Sequence, residues 1–122
     1  EGEFVLENCF LVIVRTSTRM SLGICGTSHY DPITMRIEVG MVLLPLGRGL
    51  GLGREALAAL VSLAFEEPLI NEVYARFAAG NTAARNLVAR VGFCPDCAAK
   101  VGEQESGMCE RSIHRSGWCV SK

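Results

Sequence analysis

The residues most able to do chemistry in this sequence lie in a run with glycine at every second position, Gly47-Arg48-Gly49-Leu50-Gly51-Leu52-Gly53. An apolar stretch closed by Pro45 precedes it. Residues 54–67 follow, with Leu57, Leu60, Val61, Ala64 and Phe65 at helical spacing and Pro68 as the stop. A helix N-terminus leaves backbone N–H groups unsatisfied and carries partial positive charge, and glycines let an anion approach the backbone. Strand, glycine turn and helix in this order therefore suit a phosphate. Two rival phosphate motifs fail on spacing. A dinucleotide fingerprint needs its third glycine at the sixth position, which is Leu52 counted from Gly47 and Arg54 counted from Gly49. A P-loop ends in Gly-Lys-Ser/Thr, whereas Gly53 is followed by Arg54-Glu55.

A second group of reactive side chains lies near the end of the chain. Of the six cysteines, Cys94, Cys97, Cys109 and Cys119 fall in the last 29 residues, with His114 among them. Cys94-Pro95-Asp96-Cys97 is half of a zinc site, but no second pair at matching spacing completes it. These residues read as unpaired cysteines or one incidental disulfide, and no metal is expected. Cys9 and Cys25 stand in apolar, strand-like context as small core residues.

The elements that must position the glycine turn follow from periodicity. Residues 10–14 are a β-branched apolar run, and residues 16–19 a polar turn. Residues 21–28 read as a second strand and His29-Tyr30-Asp31-Pro32 as a turn, since Asp-Pro disfavours helix. Residues 33–44 alternate through Ile33, Met35, Ile37 and Val39 and then become continuously apolar, which predicts a strand half-exposed at its start and buried at its end. Beyond the helix, residues 72–77 read as a strand. Residues 83–91 read as a helix capped by Asn81 or Thr82 and ended by Gly92. Past Phe93 the signals weaken, and residues 112–118 read as a final strand with Trp118 packing at its edge. The whole is one α/β (α+β) domain over residues 1–122: an antiparallel meander, then strand, glycine turn, helix, strand, helix, strand.

Arg48-Gly49-Leu50-Gly51-Leu52-Gly53 fits an Arg/Gln-x-x-Gly-x-Gly/Ala turn and resembles the coenzyme A pyrophosphate loop of the GNAT N-acetyltransferase superfamily. Two flanking segments carry the same resemblance. Glu38-Val39-Gly40-Met41-Val42-Leu43-Leu44-Pro45 is similar to the family's central strand with its acidic residue and closing proline. Asn81 to Phe93, with Gly92-Phe93 at its end, is similar to the Asn-x-x-Ser/Ala…Gly-Phe segment. The likeness covers about residues 10–93 and is closest to the ribosomal-protein N-acetyltransferase branch.

The resemblance implies acetyl-CoA as cosubstrate and a set of roles. Backbone N–H groups of the Arg48, Gly49, Leu50, Gly51, Leu52 and Gly53 turn would surround the pyrophosphate, with Arg48 and Arg54 adding charge. Met41, Val42 and Leu43 would run beside the pantetheine arm, where the family's two central strands splay apart, and an N–H near Met41–Val42 would polarise the thioester carbonyl. Glu38 is the candidate general base, because an amine with a pKa of about 10 is mostly protonated at neutral pH and must lose a proton to attack. Asn81 would hold the pantetheine. Two positions depart from the pattern: Ala84 stands where many relatives have serine, and Val88 where others have the tyrosine that protonates the leaving thiolate. No general acid is assigned, and His29 and Tyr30 read as a solvated turn rather than an acceptor wall.

Bulk properties set the remaining expectations. A net charge of −1 with no basic run gives no case for nucleic acid, and no apolar stretch is long enough to span a bilayer. No secretory signal opens the chain, so a cytoplasmic protein is expected. Family members place a strand and two helices before the segment starting at Phe10, where this sequence has nine residues. The sequence is thus a fragment, a compact variant, or a domain completed by a partner, and an uncovered sheet face favours a dimer or larger homo-oligomer. The predicted function is acetyl transfer to a primary amine, either a protein N-terminus or a small molecule. The alternative is a coenzyme A-binding module without turnover.

Overall fold

A computed structural model of the chain describes residues 9–45, 51–95 and 107–118. Six strands form one sheet: β1 (Cys9–Val14), β2 (Ser21–Asp31), β3 (Arg36–Leu43), β4 (Glu72–Ala78), β5 (Cys94–Pro95) and β6 (Met108–His114). Their order across the sheet is β1-β2-β3-β4-β6-β5. All neighbours pair antiparallel except β3 and β4, which are parallel and joined through helix α1 (Leu52–Phe65). Helix α2 (Thr82–Val91) connects β4 to the last two strands. The predicted order of elements is observed, with the two-residue β5 added between α2 and the last strand.

Strand alternation sorts the sheet into two faces. Ile37 and Val39 of β3, Val73, Ala75 and Phe77 of β4, and Cys109 and Ile113 of β6 share the first face. They form one core with Leu57, Leu60, Val61, Ala64 and Phe65 of α1 and Val88 of α2. Both described helices therefore pack on this face. The second face carries Phe10, Val12, Ile24 and Val42 on β1–β3, then Arg36, Glu38, Glu72, Tyr74 and Glu110 toward the other side. No described helix is long and apolar enough to cross a membrane.

Several expected boundaries move, each for a local reason. The second strand does not stop at Ser28. It runs to Asp31 through an irregularity in its pairing with β3, and the turn comes afterwards. Asp31 Oδ1 accepts the Ile33 N–H at 2.9 Å and Asp31 C=O accepts the Met35 N–H at 2.7 Å, closing the reversal around Pro32. The Ile33 N–H first, and then the Thr34 side chain, hydrogen-bond the Asp31 carboxylate and hold its pKa below its ordinary value. Ile33 consequently sits on the turn, and β3 begins only at Arg36. The α1 helix starts at Leu52 because Gly51, at φ 76°, supplies the left-handed residue that turns the chain into it. It ends at Phe65, earlier than expected. The last strand, β6, ends at His114, and a 3-10 turn over Arg115–Gly117 follows. Trp118 is therefore not an edge-strand residue. It packs against the core, 6.3 Å between ring centroids from Phe65.

The burial of β3 is the reverse of the expected gradient. Ile37 and Val39 are fully buried near its start, whereas Val42 is 59% exposed near its end. Alternation is the cause: Ile37 and Val39 lie under the helices, whereas Val42 lies on the second face, which no described helix covers. The pairing of β3 with β4 comprises only Arg36–Glu72, Ile37–Val73 and Glu38–Tyr74, although β3 runs on to Leu43 and β4 to Ala78. Past Glu38 and Tyr74 the two strands diverge, and the apolar end of β3 lines the resulting fork.

Candidate active site

The fork takes its polarity from backbone register. Leu44 N–H donates to Leu22 C=O at 2.8 Å, which fixes the antiparallel alternation between β2 and β3. Residues 38, 40 and 42 then turn their backbone groups toward β2, and Val39 and Met41 turn theirs toward β4. Met41 lies beyond the last β3–β4 pair, so its N–H and C=O face the fork. The N–H of Val42 points to β2 instead. Of the two backbone donors expected from sequence, the register therefore turns Met41's to the fork. The Met41 side chain packs against the core and that of Val42 lies on the second face.

The same strand leads to the start of α1. A Cβ built on Gly53 would lie 3.0 Å from Leu43 Cδ1 and 3.7 Å from Leu87, so the first turn of α1 sits directly on the end of β3 and on α2. Glu55 N–H makes the first helical bond, to Gly51 C=O at 3.2 Å. The preceding N–H groups of Leu52, Gly53 and Arg54 point out of the helix end, and no side chain caps it among the described residues. Arg54 is exposed beside them. Arg48, Gly49 and Leu50 lie outside the described residues.

Helix α2 starts differently. The Asn81 side-chain oxygen accepts the Ala84 N–H at 3.0 Å, an N-cap. Asn81 thus has a structural role whether or not it also touches a coenzyme, and the two roles separate by substitution. Asn81→Asp keeps the cap acceptor but replaces the amide NH2 by a carboxylate. The thermal midpoint is expected to hold, while acetyl-CoA affinity measured by calorimetry falls severalfold if the amide binds the coenzyme. Asn81→Ala is expected to cost about 1 kcal/mol of stability. At the two departures, Val88 is buried in the core and Ala84 packs against it.

Glu38 closes the fork. It occupies the last β3–β4 pair, opposite Tyr74, and both side chains lie on the face away from the helices. The Glu38 side chain is 21% exposed and its Oε1 lies 3.3 Å from His29 Nδ1. Tyr74 was not anticipated. Burial first, and then the negative charge of Glu38, raise its pKa, with Arg36 opposing, so at neutral pH it is a phenol that can donate a hydrogen bond. Arg36 stacks on the Tyr74 ring, 4.0 Å from its centroid. Its Nε lies 3.0 Å from Glu72 Oε1 and its Nη2 bonds Glu110 Oε2. Burial works against the charge on Arg36, but these carboxylates outweigh it and raise its pKa. His114 Nε2 stands 3.9 Å from Glu72 Oε2. A polar network thus surrounds the base of the fork on the second face. Glu72 and Tyr74 are two apart on one strand, so their common face was readable. Their proximity to Glu38 depends on strand pairing, which was not.

The tail cysteines do not gather into a site in the described region. Cys94 is exposed and Cys109 buried, both as free thiols, and no described group of three His, Cys, Asp or Glu side chains is placed to hold a metal. Cys97 and Cys119 lie outside the described residues.

The sequence profile of the acetyltransferase (GNAT) domain matches residues 3–94, more than half of the 122-residue chain. Among solved structures, the chain is similar to an acetyltransferase of the GNAT family from Bacillus anthracis. The TM-score is 0.72 at 16% identity, over 88% of this chain and 66% of that one. It is also similar to an acetyltransferase from Agrobacterium tumefaciens str. C58, with TM-score 0.74 and 23% identity over 88% and 61% of the two chains. A third is spermidine N-acetyltransferase from Vibrio cholerae in complex with CoA and spermine, with TM-score 0.67 and 16% identity over 82% and 62%. Likeness at these identities concerns the fold. The chain spans about two thirds or less of the length of these proteins. No curated protein matches the sequence significantly.

Proposed function

The chain belongs to the GNAT acetyltransferase domain family, and we propose from that premise that it transfers acetyl from acetyl-CoA to a primary amine by direct attack. The observation that carries this reading is the fork between β3 and β4, whose free end leads through the Gly51 turn to an uncapped helix N-terminus. In the reading, the pantetheine lies along the end of β3 (Met41, Val42, Leu43) and pairs with the Met41 backbone. The pyrophosphate meets the N–H groups at Gly51, Leu52 and Gly53, with Arg48, Gly49, Leu50 and Arg54 completing the turn. Asn81 holds the pantetheine from α2.

The acceptor approaches from the second face. Its nitrogen attacks the acetyl carbonyl carbon, the C–N bond forms, and the carbon–sulfur bond breaks with its electron pair leaving on the coenzyme thiolate. Met41 N–H stabilises the negative carbonyl oxygen in between. The nitrogen's proton passes to Glu38, directly or through water, and the thiolate takes a proton from solvent. A positively charged amine is drawn to Glu38, since Glu72 and Glu110 on the same face are paired with Arg36. The complex of the Vibrio cholerae relative with spermine supports small-molecule amines as one acceptor class; a protein N-terminus is the other. The uncovered apolar residues Phe10, Val12, Ile24 and Val42 support a homo-oligomer, a dimer in the simplest case, in the cytoplasm. Light scattering at the mass of a single chain would remove that part of the reading.

The test is a thiol-release screen with acetyl-CoA across polyamines, aminoglycoside-like amines and peptides with free N-termini. Release above the hydrolytic background with at least one amine supports turnover. Saturable acetyl-CoA binding with no release from any amine supports the coenzyme-binding module instead.

A further inference from the structure

One side chain at the base of the fork is placed there against the local rule of the strand. In β2, Ser28 pairs with Glu38 and shares its face, so alternation would send the next residue, His29, to the opposite face. His29 instead adopts a left-handed backbone, φ 58°, within the irregularity between Ser28 and Asp31. Its ring returns to the Glu38 side. Nδ1 lies 2.9 Å from Ser28 Oγ and 3.3 Å from Glu38 Oε1. A left-handed conformation is costly for a residue with a side chain, and a bulge is the usual means of re-aiming one. The His29 side chain is 73% exposed, so the contact adds little to folding stability. Arg19 and Met35, the other described non-glycine residues with positive φ, lie outside the strands, whereas His29 takes this conformation within β2.

The other groups around Glu38 are already occupied or face it differently. Arg36, two residues earlier on β3, is engaged by Glu72 and Glu110, and Tyr74 faces Glu38 from β4 as a neutral phenol. His29 is thus the ring held against the carboxylate, and its Nδ1 is shared between Ser28 Oγ and Glu38 Oε1. We propose that His29 is a positioning residue for Glu38: its Nδ1–H holds Oε1 and leaves Oε2 to accept the proton from the acceptor amine. This rests on Glu38 being the base. Proton removal requires one carboxylate oxygen to be aimed at the nitrogen, and a carboxylate free to rotate loses that alignment.

Three substitutions and a spectrum test it. His29→Gly keeps the left-handed backbone without strain and removes the ring, and kcat is expected to fall about tenfold while acetyl-CoA affinity stays within about twofold. His29→Asn also tolerates the left-handed region and restores an N–H near the Nδ1 position, so at least half of the wild-type kcat returns. Nitrogen-15 NMR of the neutral ring shows the Nδ1-protonated tautomer in the wild type and the Nε2-protonated one in Glu38→Ala. Full kcat in His29→Gly, or an Nε2-protonated ring in the wild type, would overturn the proposal. Full turnover in Glu38→Gln, or release from no amine, defeats the parent reading instead. The contact itself then stands or falls by the tautomer.

Discussion

Glu38→Gln is expected to lower kcat by about a hundredfold or more while acetyl-CoA affinity and the thermal midpoint stay unchanged, because positioned general bases contribute about 10²–10⁴. Glutamine preserves the shape of the side chain and an oxygen for the His29 contact, yet it cannot take up the amine proton. The residue lies at the last β3–β4 pair and one-fifth exposed, so little packing depends on its charge. Loss confined to kcat would identify an interaction made in the transition state rather than in binding. Unchanged kcat would place the base elsewhere, with water or the Tyr74 side of the fork as the next position to examine.

The second large effect concerns stability. Arg115→Ala is expected to cost about 3 kcal/mol, since hydrogen bonds from a charged donor contribute about 1.5–3 kcal/mol each and do not add fully. Arg115 donates from Nε to Ile70 C=O at 3.1 Å, from Nη1 to Phe65 C=O at 2.9 Å, and from Nη2 to Glu67 and Ile70 C=O at 2.8 and 2.6 Å. It also stacks over the Phe65 ring, 5.2 Å from the centroid. One guanidinium thus gathers the carbonyls at the end of α1 and ties them to the turn after β6. Removing it leaves those acceptors without the guanidinium and frees the C-terminal end of the helix whose N-terminal end is the proposed coenzyme site. The thermal midpoint is expected to fall by about 10 °C. Arg115→Lys recovers only part of this, because one ammonium cannot reach three carbonyls in a plane. An unchanged denaturation midpoint in Arg115→Ala would show that the clamp contributes nothing.

These two residues also mark what was legible in the sequence. Glu38 is singled out by the resemblance of Glu38–Pro45 to the family's central strand with its acidic residue, all within a short stretch of chain. Arg115 is not, since its partners lie 45 to 50 residues earlier and nothing local distinguishes it from a surface arginine. Helix α1 was readable from its apolar spacing, and α2 from Asn81 and Gly92 at its ends. The burial of β3 was misread for a physical reason. A continuous apolar run does not say which face each residue takes: Met41 and Leu43 pack on the helix-covered side, and Val42 between them stays exposed on the other. His29 reads as part of a turn, because a non-glycine residue gives little sequence sign of a left-handed bulge within a strand. The network of Arg36, Glu72, Tyr74 and Glu110 needed the pairing of β3, β4 and β6, and pairing register is set by the whole sheet.

The roles assigned to Glu38, His29 and Met41 depend on the fork and the start of α1 holding acetyl-CoA. Isothermal titration of the chain with acetyl-CoA tests that most directly. Saturable binding with one site per chain, competed by coenzyme A and weakened when Gly51 is replaced by a bulky residue, is the predicted result. No saturable heat at any accessible acetyl-CoA concentration, from a chain shown by circular dichroism to be folded, would contradict it.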